Sequence, residues 1–149
     1  MNDIDYAGSP PSGLDQLRAL MDAKRRPGIG QTLDFDLVEV EAGRVVFEGT
    51  PGHQVYNPIG TVHGGYAATL LDSACGCAVH SKLMPGQAYS TLELKIAYHK
   101  ALTADTGTVR AEGVVVSMGR RAAFAEARLT DVAGRLYASA TSTLIIMDR

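Results

Sequence analysis

The spacing of apolar positions changes several times along the chain, and each change marks an element. Leu14, Leu17, Leu20 and Met21 recur at helical spacing behind Ser12, a good helix cap. They predict a short helix that ends before Pro27, with Arg25 and Arg26 in its last turn against the negative end of the helix dipole. Leu33, Phe35 and Leu37 then alternate with Asp34 and Asp36 up to Val40, Ala42-Gly43 turns, and Arg44 to Gly49 runs back as a hairpin. Pro51, Gly52, Pro58 and Gly60 keep residues 51–62 irregular. From about His63 to Leu83 the residues are small and apolar on nearly every side, predicting one long helix closed by Pro85-Gly86. Strands follow at 91–98, with Leu92, Leu94, Ile96 and Tyr98 on one face, and at 106–117, 122–130 and 136–147. A helix apolar all round is normally buried. The expected fold is therefore α+β, a mostly antiparallel sheet of about six strands curled around one long helix, with a further surface covering what the sheet leaves open. Residues 1–30 read as a lead-in with its short helix, and 31–149 as the single domain.

Within that helix Asp72 stands alone, the only carboxylate between Glu48 and Glu93. An acid among alanine, leucine, cysteine and glycine needs a reason, because an unpartnered buried charge is costly. Ahead of it stands His63-Gly64-Gly65. Glycine admits close backbone approach, and the free N–H groups of a helix start favour negative charge. The combination suggests an oxyanion site beside a carboxylate base or nucleophile. The plainer alternative is an acid held by neighbouring N–H groups in a structural network.

Composition narrows the class. The chain has 149 residues, 46% hydrophobic and 20% charged, with a formal net charge of −2, the profile of a globular domain. No basic stripe or RNA-type aromatic motif is present, so nucleic acid is not an expected partner. The start lacks a signal-peptide pattern and no apolar stretch is long enough to span a bilayer, so the expectation is a cytoplasmic protein with no membrane partner. Cys75 and Cys77 are two apart on a helix and do not face each other, which argues against a disulfide. The four histidines form no ligand pattern with them, so no metal is expected and both cysteines read as core.

The run from Asn57 through His63-Gly64-Gly65 to Asp72 resembles the hotdog-fold acyl-CoA thioesterases of the phenylacetate-pathway (PaaI-like) type. Thr91 to Tyr98, Gly119-Arg120-Arg121 and Asp131 to Ala138 fit in the same order, so the resemblance covers roughly residues 33–147. It implies a helix wrapped by a curved antiparallel sheet, a homodimer whose sheets join edge to edge and often pair again into a homotetramer, and hydrolysis of coenzyme A thioesters with no cofactor or metal. It also implies that Asn57 orients the water or the carbonyl, that His63 holds the turn, and that Thr91 places a hydroxyl near the water, with Ser90 one residue off.

For such a reaction Gly64 is the oxyanion donor, with Gly65 beside it, and Asp72 is the nucleophile or the general base. Tyr66 is expected against the acyl group. Arg120 and Arg121, and behind them Lys100 and Arg135, are candidates for the phosphates of coenzyme A. Gly64 and Asp72 are eight residues apart, about 12 Å along a helix axis at 1.5 Å per residue. One thioester carbon cannot reach both on one helix, so the site requires two antiparallel helices across a two-fold axis. The bland alternatives are a turn residue at Asn57, a strand residue at Thr91 and solvated surface charges at the arginines. The competing functions are a non-catalytic acyl-CoA or acyl-carrier binding protein and, lower, a hydratase or dehydratase of the same fold.

Overall fold

The computed structural model describes residues 8–149. Residues 1–7, the start of the predicted lead-in, lie outside the described residues. Ser12 caps helix α1 (Gly13–Asp22) through a reciprocal pair, its side chain accepting from Asp15 N–H while the Asp15 carboxylate accepts from Ser12 N–H. The helix ends earlier than its pattern predicts. Arg25 and Arg26 lie beyond the last turn, and Arg26 pairs instead with Asp34 and Asp36, at 2.6 Å each. A second short helix, α2 (Gly28–Leu33), fills the stretch between the predicted helix and the predicted strand and takes in Leu33, the strand's expected first residue. Asp34 closes it in the left-handed conformation (φ 58°). Strand β1 (Phe35–Glu41) therefore begins two residues later than expected.

The remaining elements follow the predicted order: β2 (Arg44–Gly49), α3 (Gly64–His80), β3 (Gln87–Tyr98), β4 (Val109–Met118), β5 (Ala122–Asp131) and β6 (Leu136–Asp148). The six strands form one antiparallel sheet in the order β1-β2-β4-β5-β6-β3. It curves around α3, which touches β2 through β6. Leu70, Leu71, Ala74, Cys75, Ala78 and Val79 of the helix are fully buried against Val45, Val109, Ala111 and Leu144 of the sheet. Small residues bring the two layers close. A Cβ built on Gly113 of β4 would lie 2.2 Å from the Ala74 carbonyl oxygen.

The far end of α3 is tied to the first hairpin by Ser81, whose hydroxyl accepts from Gly43 N–H (2.8 Å) and donates to Ala78 O (2.6 Å). Helix α1 lies across the same end, where Gly13 N–H donates to Leu83 O. The order leaves β3 as an edge strand. It also carries a bulge: Thr91 pairs with Leu144 and Glu93 with Thr143, so Leu92 is the extra residue. Leu92 is 63% exposed, rather than facing inward with Leu94 and Ile96 as the alternation suggests. The bulge lets Thr91 before it and Leu94, Ile96 and Tyr98 after it share the inner face. Among the described residues no helix is long and apolar enough to cross a membrane.

Candidate active site

Helix α3 begins with its cap turned inward. His63 is the N-cap, and its Nδ1 accepts from Gly65 N–H at 2.7 Å. Gly65, expected as a second oxyanion donor, thus has its N–H occupied within the chain. Gly64 is the first helical residue, and its N–H has no hydrogen-bond partner among the described residues. Its carbonyl is fixed by the Tyr98 hydroxyl, which donates at 2.7 Å. A Cβ on Gly64 would lie 3.0 Å from that hydroxyl oxygen, so glycine is what lets the β3 tyrosine sit this close. The amide borders a cavity of about 340 Å³ lined by His63, Gly64, Tyr98, His99 and Lys100.

Asn57 stands behind this turn rather than in it. Its Oδ1 accepts from Ile59 and Thr61 N–H, and its amide nitrogen donates to Thr61 Oγ1. These bonds are those of a turn-forming asparagine, and they hold its side chain within the loop. Tyr66 departs from its expected place as well. It is buried in the core with its hydroxyl against Gly49, lines neither this cavity nor the next, and has no hydrogen-bond partner for that hydroxyl. Burial pushes its hydroxyl pKa up to about 12.

Asp72 opens on a different cavity. It is half-buried two turns further along α3, and its Oδ1 accepts from Thr91 Oγ1 at 3.1 Å. Ser90, one residue away, is exposed and does not line this space, so Thr91 supplies the hydroxyl. The cavity holds about 330 Å³. Around the carboxylate it is mainly apolar, with Leu17 of α1, Ile29 of α2, Phe35 of β1 and Phe47 of β2 as walls. Sequence reasoning missed this roof, because residues 28–32 carry no predicted element and α1 carries no chemistry of its own. It also missed Tyr89 and His80, which stand beyond Asp72. The signal for His80 is its place eight residues after Asp72, which keeps both on one side of the helix.

Neither cysteine is poised as a nucleophile. Burial pushes the Cys75 and Cys77 thiols up to about 12. Among the described residues no group of three His, Cys, Asp or Glu side chains could hold a metal ion. Arg120 and Arg121 sit in the β4–β5 connection and line a third cavity of about 390 Å³ with Gln87 and Asp148. Among the described residues neither arginine is in an ion pair, whereas Arg26, Arg44 and Arg110 all are.

The chain thus presents a free N–H at one cavity and a carboxylate with its hydroxyl at another. Comparison with known proteins matches residues 59–138, which run from the turn before Gly64 into β6, to the model of the thioesterase superfamily. A 1,4-dihydroxy-2-naphthoyl-CoA hydrolase of Listeria monocytogenes is 25% identical over 119 residues, spanning 80% of this chain and 95% of that protein. The structure of smu.793 from Streptococcus mutans, bound to acetyl CoA, superposes with a TM-score of 0.70 at 29% identity, over 77% of this chain and 90% of that one. The PaaI protein of the E. coli phenylacetic acid degradation operon shares the fold, with a TM-score of 0.79 at 20% identity over 91% and 94% of the two chains.

Proposed function

The chain belongs to the thioesterase superfamily, and on that premise we propose that it hydrolyses acyl-CoA thioesters at a site built from two copies of itself. The observation that carries the reading is the division of the site. The free Gly64 N–H and the Asp72 carboxylate border different cavities, about 12 Å apart along one helix. Two α3 helices running antiparallel across a two-fold axis bring the Gly64 of each copy to the Asp72 of the other. The unpaired edge of β3, with Leu92 and Tyr98 exposed, supports a dimer in which the two sheets join. Pairing of dimers into a tetramer is the further assembly we propose.

In this arrangement the carbonyl oxygen of the thioester accepts from Gly64 N–H, which stabilises the charge that develops there. Asp72 of the other copy acts in one of two ways. As a base it takes a proton from water, the hydroxide adds to the carbonyl carbon, and the C–S bond breaks as the thiolate recovers the proton. As a nucleophile its oxygen adds to the carbonyl carbon, the C–S bond breaks to release the coenzyme A thiolate, and water cleaves the resulting anhydride to the free acid. Label found in the Asp72 carboxylate after a single turnover in heavy-oxygen water identifies the second route, since only an anhydride can be opened by water at the Asp72 carbonyl. Thr91 orients the carboxylate in both.

His63 serves by shaping the turn, and Arg120 and Arg121, in no ion pair among the described residues, are the side chains we propose for the coenzyme A phosphates. The apolar walls around Asp72 suit an aromatic or medium-length acyl group, in keeping with the naphthoyl thioester named for the Listeria relative. No residue of the scheme calls for a cofactor. A cytoplasmic location is part of the reading we propose.

The test is thiol release from benzoyl, phenylacetyl, hexanoyl and palmitoyl CoA by wild type and Asp72→Asn. Turnover of one class by wild type, with a loss of at least ~10²-fold in the folded variant, supports the reading. Binding without turnover makes the protein an acyl-CoA carrier, and equal turnover by both proteins removes Asp72 from the reaction.

A further inference from the structure

Strand β3 serves both ends of the site, which a regular strand could not do. The Thr91 hydroxyl donates to Asp72 and the Tyr98 hydroxyl donates to Gly64 O. The two residues are seven apart, an odd spacing that would point them to opposite faces of a sheet. The extra residue at Leu92 restores the match, so both side chains turn toward α3. When two copies meet as proposed above, each site takes Gly64 and Tyr98 from one copy and Asp72 and Thr91 from the other. Thr91 has a part in the hydrolysis scheme, and Tyr98 has none.

The Gly64 amide needs holding. It belongs to the first turn of α3, and helix ends fray. Two glycines in succession soften that turn further. His63 O accepts from Tyr66 N–H (3.0 Å) and His63 Nδ1 from Gly65 N–H (2.7 Å), but both bonds lie within the turn itself. Among the described residues the Tyr98 hydroxyl, at 2.7 Å from Gly64 O, makes the one hydrogen bond that ties Gly64 or Gly65 to the sheet. Tyr98 is a firm anchor, because its backbone is paired with Ala138 of β6. The peptide between Gly64 and Gly65 is thus gripped at both ends, its N–H by His63 and its carbonyl by Tyr98. We propose that Tyr98 is a positioning residue of the oxyanion site: by gripping the Gly64 carbonyl it keeps the neighbouring Gly64 N–H aimed at the oxygen of the thioester. The N–H acts on charge that develops in the transition state, so loss of the grip lowers kcat and leaves KM nearly unchanged. The inference rests on the thioesterase reading.

Tyr98→Phe keeps the ring and removes the donor. The test places it in two backgrounds, Gly64→Ala and Gly64→Pro, which add the same Cβ beside Tyr98 and differ in the N–H. Thiol release from the preferred thioester of the coenzyme A panel is measured in all four proteins. Tyr98→Phe should cost about 10-fold in kcat in the alanine background and less than about 2-fold in the proline background, which has no N–H to aim. No loss in the alanine background, or the same loss in both, overturns the inference and leaves the thioesterase reading intact. A second readout needs neither turnover nor a change at Gly64. The NMR order parameter of the Gly64 amide should stand near the rigid value of about 0.85 in wild type and fall toward about 0.6 in Tyr98→Phe, with that of Ala74 unmoved. An unchanged Gly64 value, or a fall shared by Ala74, overturns the inference. If wild type hydrolyses no acyl-CoA, the thioesterase reading fails instead, and the order parameter alone decides whether Tyr98 holds the amide.

Discussion

Gly64 and Asp72 lie on one unbroken helix and open on two separate cavities. The helix fixes their separation, so no side-chain motion within one copy brings the free N–H to the carboxylate.

The Gly64 end makes a prediction that separates the amide from the side chain. Proline is well tolerated as the first helical residue, and His63 already has the extended conformation that precedes proline (φ −58°, ψ 133°). Gly64→Pro removes the N–H, and Gly64→Ala adds the same Cβ beside Tyr98 but keeps it. We expect kcat to fall about 10²- to 10³-fold in the proline variant only. Equal losses in both, with both folded, would assign the effect to crowding.

At the Asp72 end the hydroxyl of Thr91 is the carboxylate's one hydrogen-bond partner among the described residues. Thr91→Val keeps the shape of the side chain and removes that donor. The expected loss is about 10- to 100-fold in kcat/KM, the scale of a hydrogen bond to a charged group. Thr91→Ser should retain most of the activity, and a valine variant as active as wild type would dismiss the hydroxyl.

The contact between Gly113 and Ala74 sets the distance between helix and sheet. A methyl group at Gly113 meets backbone, so α3 itself must shift. Gly113→Ala should cost about 1–3 kcal/mol of stability in a denaturant titration. An unchanged midpoint would show that the layers are looser than they stand here.

His80 carries a stability signature in pH. Its folded pKa lies below the ordinary 6.5 through burial first and the charge of Arg149 second. The unfolded chain therefore binds the proton more readily, so the contribution of the neutral ring is complete above about pH 6.5 and declines as pH falls through and below it. Asp131, held down by the backbone N–H of Arg135, and Asp36, held down by Arg26, lose their contributions only as pH drops through the carboxylate range. Between pH 7.5 and 5 the thermal midpoint of wild type should thus fall more than that of His80→Phe. Parallel curves would count against a buried neutral imidazole.

Much of this was legible in the sequence. The long helix declared itself because a run of small apolar residues has few other homes, and Gly64 and Asp72 stood out within it. The hairpin turn at Ala42-Gly43 followed from local chemistry. What stayed hidden depends on contacts distant in sequence. Leu33, Phe35 and Leu37 alternate as a strand would, yet Asp34 adopts a left-handed turn and Leu33 ends a helix. A period of two cannot reveal a bulge, so Leu92 reads as inward. Tyr66 reads as a pocket residue beside the motif, but its position on the helix turns it into the core. The pairing of Gln16 with His80 spans 64 residues and leaves no local trace.

The shared site is the central claim, and mixing two inactive variants tests it most directly. Asp72→Asn retains its Gly64 amide, and Gly64→Pro retains its Asp72 carboxylate. After subunit exchange, half of the dimers are mixed, and each mixed dimer carries one intact site and one doubly damaged site. Activity should return to roughly a quarter of the wild-type value. A mixture as inactive as its two components, with exchange verified by mass spectrometry, would contradict a site built across two copies.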